Sequence, residues 1–433
     1  MNSKLHRAIF PSILLASALI VQQAALAQSA EAVSAVQTLT GKAMYKAMVT
    51  QMQQSHQRII DENITLQQVP APSFNEAEKA KLFAKLLHLS DDSLEISIDQ
   101  AGNVLALRKG VNAGADVLAV VTHMDTVFPL ETSLEVKREG TLLKAPGILD
   151  NCRGLAASLA IIRAMKAGNV KTKSNILFVG SVGEEGMGDL KGVKYLFLEG
   201  AFKGRIKSMI AVDSGFPDQV VHKAAGSKRY EIRYRGPGGH SYRAFGTVNP
   251  AYALGNAIAQ IGKIKVPQGT TYSVGVLGGG TSINAIPDDA WMQVDMRSSS
   301  NDDLKHLEQE FLKAVNDATA LENATRSSKN GAIKVDIKLV GDRPSGSTPS
   351  ASKLVQVAMA ASAAQGWSPK LDSGSTDANI AMSLGIPAIA IAGGVGNFNH
   401  SMREYLDVEE TQSVRALQLP LISILDAAEI VGE

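Results

Sequence analysis

The sequence predicts an α/β protein with a mainly parallel central sheet, into which a smaller α+β domain is inserted. Three observations carry that prediction. Short apolar runs with the length of buried strands, "DVLAVV", "NILFVGSV" and "SMIAV", are spaced by helix-like stretches such as "GLAASLAIIRAMKAG", the alternation expected of βαβ units. Near residue 223 the texture changes to strands with one wet face, as in "SKRYEIRYRG", and after Arg343 the first texture returns. The 433 residues exceed the roughly 250–300 that a single core usually holds together, so two domains are expected.

In chain order, the first segment is "MNSKLHRAIFPSILLASALIVQQAALAQSA", which places Lys4 and Arg7 ahead of an apolar stretch and closes on "ALA". That is the three-part form of a secretory signal, with cleavage expected after Ala27. The apolar stretch is too short and too interrupted for a spanning helix, which takes about 20 residues. A soluble exported protein, periplasmic or secreted, is expected.

Residues 31–90 read as mostly helical, with amphipathic spacing in "NEAEKAKLFAKLLHLS". "LEISIDQAGNVLALRKG" reads as a hairpin, and the apolar strands and helix quoted above follow it. The inserted segment then runs strand "SKRYEIRYRG", helix "NPAYALGNAIAQIGKI", strands "TYSVGVLGG" and "AWMQVDMRS", helix "NDDLKHLEQEFLKAVNDATA" and strand "AIKVDIKLVG". This β-α-β-β-α-β order is ferredoxin-like. Helix "ASKLVQVAMAASAAQG", strand "IPAIAIAGG" and a terminal helix complete the chain. The expected division is a signal over 1–27, a main domain over 28–222 and 344–433, and an inserted domain over 223–343.

Composition narrows the partners. With 43 basic and 42 acidic residues, nothing points to nucleic acid or an anionic membrane. The one cysteine, Cys152, excludes an intramolecular disulfide. No G-x-S-x-G elbow and no P-loop occur, which disfavours a serine hydrolase or a nucleotide site.

The informative residues collect where strands are expected to end. "VLAVVTHMDTVFP" ends on His123 and Asp125, "NILFVGSVGEEG" on Glu184 and Glu185, and "SMIAVDSG" on Asp213. "GVGNFNHSMREY" supplies His400, and "APGILDNCRG" places Asp150 ahead of a helix. Singly these read as a buried histidine, an acidic loop, an Asx turn, a loop histidine and a helix N-cap. Together they put five ligand-type residues at the carboxyl edge of one sheet, where open parallel sheets bind ligands. Buried carboxylates without partners cost several kcal/mol each, so the cluster asks for cations. Imidazole with carboxylate favours zinc or a similar metal over calcium. One bridging carboxylate, with a histidine and a carboxylate per ion, uses all five and suits two ions. Asp125 is then left to orient His123, and Glu184 to take a proton from water while Glu185 holds metal.

In these residues the chain resembles the M20 family of co-catalytic zinc peptidases and amidohydrolases, such as carboxypeptidase G, tripeptide aminopeptidase, the carnosine dipeptidases and succinyl-diaminopimelate desuccinylase. "HMDTV", the Asp150 turn, "GEEG", "VDSG", "GPGGHS", "SINAIPDDAWMQVDMRS", "STDANIAMSLGIP" and the His400 loop all occur in family order, from about residue 60 to the end. The resemblance implies a phosphorylase/hydrolase-like zinc peptidase domain with a lid and dimerisation domain inserted. It implies ligands His123, Asp150 (bridging), Glu185, Asp213 and His400, with Asp125 and Glu184 catalytic. Two zinc ions are implied, replaceable by cobalt or manganese. Four substrate-binding positions are also implied: His240, reaching the oxyanion in many members across a homodimer, with Asn284, Arg297 and Arg343. Two departures stand out: "NCRG" puts Cys152 where Lys-Gly or Gly-Gly is usual, and Asp213 stands where carboxypeptidase G and the desuccinylase carry Glu. Asp at that place leans toward aminopeptidases and dipeptidases. An enzyme cleaving small peptides is expected, with an N-acyl amino acid amidohydrolase or glutamate-type carboxypeptidase as the alternative.

Overall fold

The computed structural model describes residues 28–432 apart from 113 and 115; the expected signal, 1–27, lies outside them. No helix among the described residues is long and apolar enough to cross a membrane.

A nine-stranded sheet forms the larger body. Its path runs Glu95–Ile98, Val104–Arg108, Asn175–Ser181, Val117–His123, Ile206–Asp213, Ala388–Ala392, Gln219–Ala224 and Gly346–Ser347, with Lys370–Gly374 also pairing to Gln219–Ala224. The four strands from Asn175–Ser181 to Ala388–Ala392 are mutually parallel, and antiparallel strands flank them. The α/β class with a sheet parallel at its centre is therefore what the apolar runs foretell. Val117–His123 and Asn175–Ser181 are buried at every position, which is why they read as continuous apolar runs rather than alternating ones. Alternation persists underneath: Leu118 and Val120 join one core, and Val117, Ala119 and Val121 join the core on the opposite face.

Helix Cys152–Ala167 lies almost entirely inside the first core and packs on Ala43–Gln54 and His56–Gln67. Its alanine-rich sequence has high helix propensity and little side-chain entropy to lose. Helices Ala30–Gly41, Lys353–Ala364 and Glu410–Ala427 close over the same core.

The chain leaves the large sheet after Gln219–Ala224 and re-enters at Gly346–Ser347, with Gly346 opposite Ala224. Between them a four-stranded antiparallel sheet is ordered Thr270–Gly279, Asp289–Ser298, Gly226–Arg235, Lys334–Arg343. Helices Pro250–Ile261 and Asn301–Thr325 pack on one face of it, over Tyr230, Ile232, Tyr234, Met292 and Met296. The intervening residues Arg229, Glu231 and Arg233 are not buried, so the period of two gives this sheet a dry face and a charged face.

Candidate metal centre and active site

The four parallel strands end level with one another, His123 opposite Ser181 and Ala392 opposite Asp213. His123 and Asp213 are the last residues of their strands, Glu184 and Glu185 follow Asn175–Ser181 in a turn, and His400 follows Ala388–Ala392. Asp150 comes from the segment before helix Cys152–Ala167. The N-cap of that helix is Asn151, not Asp150: its side chain accepts from the Gly154 N–H (3.1 Å) and donates to the Val212 carbonyl (3.0 Å). Asp150 is thereby released from capping.

Asp150 divides the cluster into halves. Its Oδ1 lies 3.1 Å from His123 Nε2, which is also 3.4 Å from Asp213 Oδ1. Its Oδ2 lies 3.2 Å from His400 Nε2, which is 2.8 Å from Glu185 Oε1. Each half holds one imidazole, one carboxylate of its own and one oxygen of Asp150. Ligand atoms of His123, Asp150 and Glu185 all fall within 4.8 Å of one another. Asp150 Oδ1 is buried and, apart from the His123 ring, meets no donor among the described residues, and a desolvated anionic oxygen of that kind calls for a cation. The donor set of imidazole and carboxylate fits a zinc-like metal. His400 itself sits at φ 60°, a left-handed conformation uncommon for a residue other than glycine.

The electrostatics agree with the geometry. Burial pushes Asp150 up, yet His123 and His400 outweigh it and hold the carboxyl well below its usual range. Burial lowers His123, but Asp125, Asp150 and Asp213 raise it well above an ordinary histidine. Contacts with Asp150 and Glu185 push His400 up to about 10. The cluster thus favours positive charge.

Glu184 is buried beside this cluster. Burial raises its affinity for a proton well above the ordinary, Arg343 opposing and Glu185 adding to the rise. Arg343 Nη1 lies 3.1 Å from Glu184 Oε1, and Arg343 Nη2 donates to the Glu184 carbonyl. A bound cation would favour the ionised form again, which suits a group that takes and returns a proton.

Asp125 differs from expectation in one particular. His123 Nδ1 pairs with the Asp125 carbonyl oxygen at 3.0 Å, while the carboxylate Oδ1 stands 3.6 Å away. The carboxylate instead accepts from the Glu184 and Glu185 N–H groups, each at 2.9 Å, and from the Ser73 hydroxyl at 2.6 Å. Asp125 therefore orients His123 through its backbone and aims the Glu184–Glu185 turn through its side chain.

Of the remaining expected positions, Arg297 and Arg343 line the cleft beside the cluster, a space of about 260 Å³. His240 and Asn284 do not line it. Both are exposed, His240 on the two-strand ribbon Gly239–His240 and Ala285–Ile286 and Asn284 just before its second strand, where its carbonyl accepts from the Ser241 N–H. Cys152 is buried in the core, 3.6 Å from Lys79 Nζ; burial raises its thiol, and it is not among the convergent ligands.

The structure adds residues that sequence reading passed over. Glu76 accepts from the Gly183 N–H at 2.9 Å, and Ser73 also donates to the Glu185 carbonyl at 2.9 Å. Glu404 is buried and accepts from Gly147, Leu149 and Asp150 N–H groups at 2.8–2.9 Å, tying the Asp150 segment to the His400 loop. Asp377 accepts from the Ser181 hydroxyl at 2.6 Å, and burial pushes it up to about 7. Arg229 lines the cleft from the smaller sheet. Glu76, Ser73, Glu404 and Arg229 reach backbone groups that no motif spells out, whereas Asp377 meets the Ser181 hydroxyl, a side chain brought near it only by the fold.

Known proteins similar to this chain bear on its family and its fold. Residues 119–419 match the model of Peptidase family M20/M25/M40. The uncharacterised protein YqjE of Bacillus subtilis is 24% identical over 397 residues, covering 87% of this chain and all of the relative. Aminopeptidase PepT from Bacillus cereus superposes with a TM-score of 0.67 at 24% identity, covering 86% of this chain and 99% of its own. YxeP of Bacillus subtilis, described as a dinuclear metal-binding peptidase of family M20, gives 0.62 at 19% identity, covering 86% and 99%.

Proposed function

The chain belongs to peptidase family M20/M25/M40 and is a hydrolase of the metallopeptidase type, and from that premise we propose that it is an exported zinc-dependent enzyme cleaving di- and tripeptides from the amino end. The observation that carries the reading is the division of the cluster by Asp150, with His123 and Asp213 on one oxygen and His400 and Glu185 on the other. Two divalent cations, zinc with cobalt or manganese able to replace it, would be held by those five residues and would supply Lewis-acid polarisation of the scissile carbonyl and acidification of water.

The chain's own residues do the rest. Glu184, desolvated and fixed by the Asp125 contacts to its turn, takes a proton from the attacking water and returns it to the leaving amine. Arg343, held against Glu184, and Arg297 line the cleft as the substrate-binding cations of this reading. His240 stabilises the developing oxyanion. Because His240, on an exposed ribbon, and Asn284, just beside it, do not line their own chain's cleft, the reading has the smaller body act as a lid and dimerisation domain that presents them to a partner subunit. Export rests on the signal-like residues 1–27 alone.

The test is a panel of unblocked di- and tripeptides beside N-acyl amino acids, given to the zinc-loaded protein with and without chelator. Faster cleavage of unblocked peptides, abolished by chelation and restored by zinc, is the expected outcome. Faster cleavage of the N-acyl compounds would make the protein an amidohydrolase, and indifference to chelation would overturn the metal reading.

A further inference from the structure

The cleft beside the cluster has a lining that selects for charge. Val221 is the only hydrophobic side chain among the described residues that line it, whereas Arg229, Arg297 and Arg343 all line it too. So little hydrocarbon offers little gain from burying an apolar substrate side chain. Arg343 is occupied with Glu184, but the other two arginines are arranged differently.

Arg229 and Arg297 stand on neighbouring strands of the smaller sheet, where Arg229 is opposite Asp295 and Ser227 is opposite Arg297. Asp295 sits between the two heads, 2.9 Å from Arg229 Nε and 2.7 Å from Arg297 Nε. Arg229 also donates through Nη1 to the Gly186 carbonyl at 2.5 Å, beside the metal-type residue Glu185. Two guanidiniums share one carboxylate, so the trio retains one net positive charge. Both arginines meet Asp295 through Nε, which leaves Arg229 Nη2 and the Nη1 and Nη2 groups of Arg297 without protein acceptors among the described residues. Arg297 thus presents a preorganised Nη1/Nη2 fork and Arg229 adds its Nη2 beside it, and a carboxylate is the group that matches them.

We infer that Arg229, together with Arg297, forms an anion subsite that selects peptides carrying an acidic side chain, Glu or Asp, over the same peptides carrying the neutral amide. The inference rests on the peptidase reading and deepens it. A competing role for Arg229 is that of a strut between the smaller sheet and the Gly186 turn. A strut serves every substrate alike, whereas a subsite distinguishes charge, and this difference decides the test.

The experiment compares kcat/KM of the zinc-loaded full chain on pairs differing only in charge: Ala-Glu with Ala-Gln, Glu-Ala with Gln-Ala, and Ala-Glu-Ala with Ala-Gln-Ala. At least one acidic member should be favoured roughly tenfold or more, mainly through KM, the size expected for one charge-assisted contact. Arg229→Met should bring that ratio close to one, and Arg229→Lys should keep part of it. Inhibition of Ala-Ala cleavage by free glutamate against free glutamine in the unaltered enzyme supplies a measurement that needs no variant; glutamate should inhibit the more strongly. Equal rates within every pair, or an Arg229→Met loss shared equally by acid and amide, would overturn the subsite and leave the peptidase standing. Failure to cleave any member of the panel would overturn the peptidase reading, and the subsite with it.

Discussion

Glu184 and Glu185 are adjacent in the chain, and both are buried, yet they point to different work. Glu185 contacts His400 at 2.8 Å, whereas Glu184 meets only Arg343 with its side chain. Glu184→Gln should therefore keep its metal and lose turnover by at least about 10², the range for loss of a general base. Glu185→Gln should lose metal occupancy as well as rate. Elemental analysis beside steady-state kinetics checks the pair, and equal metal loss in both variants would show that the roles are misassigned. The two neighbours can be told apart only because Asp125 accepts from both of their N–H groups and so holds the turn in one orientation.

At the scale of elements, the turn after Asn175–Ser181 depends on close backbone packing. Gly183 has φ 63°, and a Cβ placed on Gly188 would lie 2.5 Å from Gly183 Cα. The glycines of "GEEGMG" thus serve contact between two backbone segments as well as rotation. From the other side, Ser73 and Glu76 grip the same turn ahead of helix Ala77–Ser90. Gly188→Ala should force these segments apart, cost about 1–3 kcal/mol as overpacking does, and lower metal occupancy because Glu185 moves with the turn. Denaturant titration and metal analysis of the same sample measure both effects. Stability lost with full metal occupancy would mean that the turn tolerates displacement without disturbing the ligands.

For the molecule as a whole, the His400 ring gives chelated protein a pH dependence. Its pKa stands at about 10, against an ordinary value near 6.5. A folded-state pKa above the unfolded one contributes stability that is complete below about pH 6.5 and disappears as pH rises through about 10. The melting temperature of chelated protein should accordingly fall across that window, and zinc-loaded protein should not show the same fall, since cations replace protons on the rings. Thermal melts at fixed ionic strength test this. The second whole-molecule prediction concerns His240. If it serves a partner's cleft, co-expressed His240→Ala and Glu184→Gln chains should recover activity that neither variant has alone, because one cleft of the mixed dimer then has both groups intact. Verified heterodimers without recovery would confine His240 to its own chain.

What the sequence determined by itself was whatever depends on local pattern. The apolar strands of the parallel centre followed from the period and length of their runs, whereas Gln219–Ala224, Gly346–Ser347 and Lys370–Gly374, which complete the large sheet, are less apolar and were not marked; the candidate ligands His123 and Asp213 stood out by their places at strand ends. "GLAASLAIIRAMKAG" was legible because helix propensity acts within one segment. The tertiary structure decided what depends on groups distant in the chain. Asn151 rather than Asp150 caps the helix because its amide can also reach Val212. The Asp125 carboxylate turns to the backbone of Glu184 and Glu185, and Glu404 collects three N–H groups of the Asp150 segment across more than 250 residues. Arg229 joins Arg297 only through the pairing of their strands. Side-chain type and spacing announce a metal-ligand set, whereas the acceptors that aim it are chosen by which backbone groups the packed fold leaves in need of a partner.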